Sequence, residues 1–189
     1  MLLIVRYNPG NGGWAVANII NTCLGHTLQP SEAEQFEGNG HNTSLYDRLS
    51  SEKELMRTQT DTSINFEYEA YSEGICLPIH YEFNTPTSAE HVIDVFRSSN
   101  HHYVPWNLYN KEEDWELTPQ FIDRAIEMST NKNTGDFDTA IAFDDHNPDY
   151  VGKFLSKYSL VPTEETWHFY YDYVTKQKEL NSKCTITQT

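Results

Sequence analysis

"LLIVRYNPGNGGWAVANIINTCL", residues 2–24, joins a continuous apolar run to a helix-like stretch through a turn holding one proline and three glycines. An unbroken run from Leu2 to Tyr7 is the pattern of a central parallel strand covered on both faces. Trp14, Ala17, Ile20, Cys23 and Leu24 then recur near helical spacing. The order is strand, glycine turn, helix. In open α/β sheets ligands bind at the carboxyl ends of the strands, where backbone N–H groups and the positive end of a helix dipole meet an anion. The turn has two readings, an anion-binding loop or a tight connection without a ligand.

Further along, "GICLPIHYEF" (74–83) and "HVIDVF" (91–96) are apolar runs that read as strands, although Ser88-Ala89-Glu90 also suits a helix start. Thr118 caps a predicted helix with Pro119 at its first position, and "FDTAIAFDD" (137–145) predicts a strand ending in two aspartates. Asn147 and Pro148 open another helix. "PTEETWHFYYDYVTKQKEL" (162–180) predicts a last amphipathic one, with Trp167, Tyr170, Tyr171 and Val174 either on its core face or lining a pocket for a hydroxylated or aromatic acceptor. Residues from about 26 to 70 form a polar insert, in which Leu45, Leu49, Leu55 and Met56 suggest short helices. Apolar runs alternating with helices imply one α/β domain over residues 1–189, with a central parallel sheet.

With 28 acidic residues against 13 Lys and Arg, the chain carries a formal charge of −15. That argues against a surface that tracks nucleic-acid phosphates. The three cysteines, Cys23, Cys76 and Cys184, are widely spaced and form no CxxC pair, so neither a disulfide framework nor a structural zinc site is expected. No segment has the length of a membrane span, and the expectation is a cytoplasmic protein that acts on a small molecule.

The turn lacks the Lys of G-x-x-x-x-G-K-[ST] and the spacing of G-x-G-x-x-G. It resembles the opening of the cytosolic and Golgi sulfotransferases, whose P-loop-related fold begins with a strand and a "P-K-S-G-T-T-W" loop. Pro9 and Gly12 match that pattern, and Trp14 stands close to its aromatic position. "LPIHYEF" resembles the strand ending in the family's "K-T-H-L", which brings His80 near the position that often supplies the catalytic base. "HVIDVFRSSNHHYVPWN" resembles "I-Y-V-x-R-N-P-x-D-x-x-x-S" and places Arg97 on the arginine that binds the cofactor's 3′-phosphate. "TAIAFDDHNPDYVGKFLSKYSL" resembles the late "Y-E-D-L" strand and the helix that ends in "F-L-G-L".

The resemblance implies a three-layer, P-loop NTPase-like fold around a central parallel sheet. It implies transfer of a sulfonate from 3′-phosphoadenosine 5′-phosphosulfate to a hydroxyl or amine, without a metal ion. Gly10, Asn11, Gly12, Gly13 and Trp14 would hold the phosphosulfate, Arg97 the 3′-phosphate, and His80 would take the acceptor's proton. The departures are chemical. Gly10 stands where the family has its loop lysine, Pro105 where it has a serine, and no "R-K-G" segment appears near the C-terminus. Arg6, Arg48 or Arg57 is then the candidate substitute cation.

Two other classes stay open. Asp144 and Asp145 at a strand end could hold Mg²⁺, as in a P-loop phosphotransferase, although Asp145-His146-Asn147-Pro148 also reads as the start of a helix. A non-catalytic acidic binding protein on the same scaffold is the other. The adjacent His101 and His102 diverge on a strand or a helix and share no metal-ligand spacing with His91 or His80. Cys23 and Cys76 lie in apolar segments, where a thiol is inert.

Overall fold

A computed structural model describes residues 1–8, 11–26, 55–60, 63–68, 74–81, 85, 89–98 and 134–187. The helix expected after Thr118, the histidines His101 and His102, Gly10 and Arg48 lie outside the described residues.

Strands β1 (Leu2–Tyr7), β4 (Ile75–His80), β5 (His91–Phe96) and the two-residue β6 (Phe137–Asp138) form a parallel sheet in the order β4-β1-β5-β6. With the helices α1 (Gly13–Cys23), α2 (Pro148–Lys157) and α3 (Glu164–Thr187), this is an α/β fold. Residues 91–96 are therefore strand, and the helix alternative starting at Ser88 is excluded. In the insert, β2 (Leu55–Thr60) and β3 (Ser63–Tyr68) form an antiparallel pair. The helix expected at Leu55 and Met56 is thus a strand. Thr58, Thr60, Ile64, Phe66 and Tyr68 supply the β-branched and aromatic side chains that favour a pleated ribbon.

β1 is central, and its two registers explain the apolar run. Leu2 to Tyr7 pair with Ile75 to His80 on one side, and Leu3 to Arg6 pair with His91 to Asp94 on the other. Leu3, Val5 and Tyr7 pack with Cys76, Ile93, Val95 and the helices, while Leu2, Ile4, Leu77 and Ile79 of the opposite face are buried as well. Burial on both faces removes the need for a polar alternation. On the outer side of β4, the Asn21 side chain accepts from the Cys76 N–H at 2.8 Å and donates to the Cys76 carbonyl at 2.9 Å.

α1 packs on α3 through Trp14, whose ring meets Phe169 edge-on at 5.8 Å, and through a 2.9 Å hydrogen bond between the hydroxyls of Thr22 and Thr166. The side of α3 that is buried runs through Thr166, Phe169, Tyr170, Tyr173, Val174 and Gln177. Tyr170 and Val174 lie on it as expected. Trp167 is only half-buried and Tyr171 is 46% exposed, because the packed face centres on Phe169 and Tyr173 instead. A reciprocal pair, Thr163 N–H to Thr166 Oγ1 and Thr166 N–H to Thr163 Oγ1, fixes the start of α3.

The strand expected over 137–145 ends after Asp138. Asp138 Oδ1 accepts from the Ala140 and Ser98 N–H groups, so its side chain competes with further ladder pairing. The chain then forms a π-helical turn over Ala140–Asp144, marked by Asp145 N–H to Ala140 carbonyl and Asn147 N–H to Ala142 carbonyl. The Tyr170 hydroxyl donates to the Ala142 carbonyl at 2.7 Å. α2 follows with Asn147 as N-cap, its Oδ1 accepting from the Tyr150 N–H at 3.0 Å, and Pro148 at the first position.

Candidate functional site: the glycine turn and a buried ion pair

The chain leaves β1 for β4 on one side and then reaches β5 on the other, so the strand order reverses at β1. The carboxyl ends of β1 and β5 are where α/β sheets of this topology take ligands. Three sequence-predicted positions meet at that edge. The turn follows Tyr7, Arg97 follows β5, and His80 ends β4 opposite Tyr7.

Each described glycine of the turn has a local reason. Gly12 is the N-cap of α1 at φ +72°, a left-handed conformation that costs a residue with a Cβ roughly 1–2 kcal/mol. Gly13 lies against the Tyr7 ring, where a Cβ would come within 2.2 Å of Cγ. The Asn11 N–H donates to the Asn8 carbonyl at 3.0 Å and closes the turn. Gly12 has no side chain to cap α1, and the first turn holds no acidic residue, so neither neutralises the positive end of the dipole.

Asn11 is fully buried, and among the described residues neither its Oδ1 nor its Nδ2 has a hydrogen-bond partner. A buried amide left unpaired costs about 1–3 kcal/mol per group, so an interior position beside a helix N-terminus is an expensive place for one. Around Gly12 stand Thr139 Cγ2 and the Tyr173 hydroxyl, each 3.5 Å from where a Cβ would be, and the Phe143 ring at 3.7 Å.

Arg97 is not an open guanidinium. Its side chain is 3% exposed, and Nη2 donates to Oδ2 of Asp144, whose side chain is 0% exposed. The π-helical turn carries Asp144 to this position. Tyr173 is close to both charges. Burial raises its phenol well above the ordinary range, Asp144 adds to the rise and Arg97 opposes it. Glycine turn, Tyr173, Arg97 and Asp144 thus form one buried group at the sheet edge.

The expected substitute cation at Arg6 has another role. Arg6 donates from Nε and Nη2 to the two Asp94 carboxylate oxygens at 2.8 and 3.0 Å, and its guanidinium stands 5.4 Å from the Tyr81 ring centroid. Its pKa is raised, chiefly by the Asp94 hydrogen bonds. Arg57 lies on β2. Asp144, the carboxylate considered for Mg²⁺, is the partner of Arg97, whereas Asn147 acts as the helix cap. Burial pushes the thiols of Cys23 and Cys76 up, Cys76 well above its ordinary value, so both stay protonated.

Tyr173 and the Arg97–Asp144 pairing did not emerge from the sequence. Tyr173 lies within "WHFYYDYV", where helical spacing marks a packed face but does not single out one phenol. No family model, curated protein or solved structure matches the chain.

Proposed function

We propose that the chain is a sulfotransferase-like protein of the P-loop type. It would take 3′-phosphoadenosine 5′-phosphosulfate at the turn of Asn11, Gly12, Gly13 and Trp14, with Gly10 as the member nearest the missing lysine. The observation that carries this reading is the buried, uncapped N-terminus of α1 after a left-handed Gly12, with the unpartnered Asn11 amide beside it. Such an N-terminus suits an anion, and the amide fits a polar group from outside the chain. In transfer, the acceptor oxygen or nitrogen would form a bond to sulfur while the bridging S–O bond breaks. The bridging oxygen then leaves with adenosine 3′,5′-bisphosphate, and His80 takes the acceptor's proton. Arg97 would meet the 3′-phosphate by exchanging Asp144 for it.

A second reading, a binding protein without catalysis, is favoured by Gly10 in the place of the loop lysine and by the engagement of Arg97 with Asp144. In the phosphotransferase reading Asp144 is engaged by Arg97, so Mg²⁺ would rest on Asp145. Calorimetric titration with adenosine 3′,5′-bisphosphate, with and without chelator, tests all three. Binding that ignores chelator is the expected result, whereas binding of ATP that requires Mg²⁺ would support phosphoryl transfer. Absence of both leaves the binding protein and removes the sulfotransferase reading.

A further inference from the structure

We propose that the Asn11 side-chain amide selects the ligand of the glycine turn, preferring a phosphate group that carries a proton over a sulfate. This rests on the part of the proposed function that puts an anion at the N-terminus of α1 and is independent of sulfonate transfer: the phosphosulfate carries no P–OH, so the group that meets both ends of the amide is the 5′-phosphate monoester of the bisphosphate. An amide offers donors on Nδ2 and acceptor lone pairs on Oδ1. In Asn11 both ends are buried and both lack a partner among the described residues. An apolar side chain would fill the same space without an unmet hydrogen bond, so the amide is matched to a group that the described residues do not supply.

The chemistry of that group follows from the two ends. An anion oxygen satisfies Nδ2, but Oδ1 needs a donor from the same ligand. Sulfate and sulfonate present acceptors only. Inorganic phosphate keeps at least one P–OH near neutral pH, and a phosphate monoester, whose second pKa is about 6, keeps one on a fraction of molecules. A hydrogen phosphate thus satisfies both ends, whereas sulfate leaves Oδ1 buried without a donor. The neighbouring groups serve the same ligand. The uncapped α1 supplies the positive dipole end, and the Tyr173 phenol beside Gly12 is held in its protonated, donating form by burial.

The test compares inorganic phosphate with inorganic sulfate by calorimetry on the full chain, near neutral pH and at matched ionic strength. Wild type should bind phosphate about tenfold or more tightly than sulfate, the discrimination expected when one buried acceptor is left unmet. Asn11→Leu, which keeps the branch at Cγ and removes the amide, should weaken phosphate about tenfold and abolish the preference, whatever the larger side chain does to the ligand-free melting temperature. Asn11→Ser, which keeps one small hydroxyl, should fall between the two and serves if the Leu variant does not fold.

Equal binding of phosphate and sulfate by wild type overturns the proposal, as does failure to bind either. So does an Asn11→Leu or Asn11→Ser protein that melts lower while its affinities are unchanged, since the amide would then serve the fold through a buried water. Phosphate binding that depends on Asn11 without any bisphosphate binding would uphold the amide's role and remove the sulfotransferase reading instead.

Discussion

Arg97, at the end of one strand of the sheet, and Asp144, in a π-helical turn 47 residues later, form an ion pair whose side chains are 3% and 0% exposed. Resemblance alone would make Arg97 a ligand group whose loss spares the fold. The pairing changes that expectation.

Arg97→Ala should be strongly destabilising, by about 3–5 kcal/mol, because it strands the Asp144 carboxylate in the interior. Arg97→Met combined with Asp144→Leu should recover most of that loss, since the pair is then replaced by packed apolar groups. Denaturant unfolding of the two single variants and the double variant measures the coupling. A single variant as stable as wild type would rule out the buried pair. Bisphosphate affinity should fall in the double variant if Arg97 meets the 3′-phosphate.

Adjacent glycines of the turn should respond very differently to the same substitution. Gly12→Ala has 3.5 Å of clearance and pays only for its φ of +72°, about 1–2 kcal/mol. Gly13→Ala would drive a methyl to 2.2 Å from Tyr7 Cγ and 2.7 Å from its Cβ, and the Cβ is fixed by the backbone whatever the rotamer. Its melting temperature should drop far more than that of Gly12→Ala, or the chain should fail to fold. Comparable losses at the two positions would mean that Tyr7 does not lie against Gly13.

Alkaline pH should unfold the protein through its interior phenols. Tyr7 and Tyr173 are 1% and 4% exposed, and burial raises both well above the ordinary value. Because the folded state holds these protons more tightly than the unfolded chain, their contribution is complete below the unfolded pKa of about 10. It is then lost as pH rises through that value toward the folded one, at up to about 1.4 kcal/mol per pH unit for each tyrosine. Stability should be insensitive to these groups near neutrality and fall from about pH 10. Tyrosinate absorbance followed together with circular dichroism should show these two phenols ionising only as structure is lost. Ionisation in a fully folded protein would contradict their burial.

The opening strand, turn and helix were legible because each rests on a local signal, an apolar run without alternation and then glycines before a periodic stretch. Asn147 and Pro148 announced α2 in the same way. What escaped was set by contacts across the fold. In 137–145, a run that periodicity allows as strand, Asp138 bonds nearby backbone N–H groups and Tyr170 reaches in from α3, so a π-helical turn forms. The charge at Arg97 was visible in the sequence, but its partner lies on that misread segment. The sequence marks Asn11 as part of a backbone loop, and the state of its side chain depends on what surrounds it in three dimensions.

The clasp of Asn21 on the Cys76 backbone bears on how the molecule behaves toward its own copies. β4 is the outer strand of the described sheet on that side, and an outer strand with unpaired N–H and C=O groups is a template for another chain. At Cys76 both groups are already taken by one amide from α1. Two residues on, with its backbone facing the same way, Pro78 has no N–H to offer. An incoming strand would find a blocked residue and then a missing donor in alternate positions, so the outer side of β4 resists the edge-to-edge growth that begins aggregation.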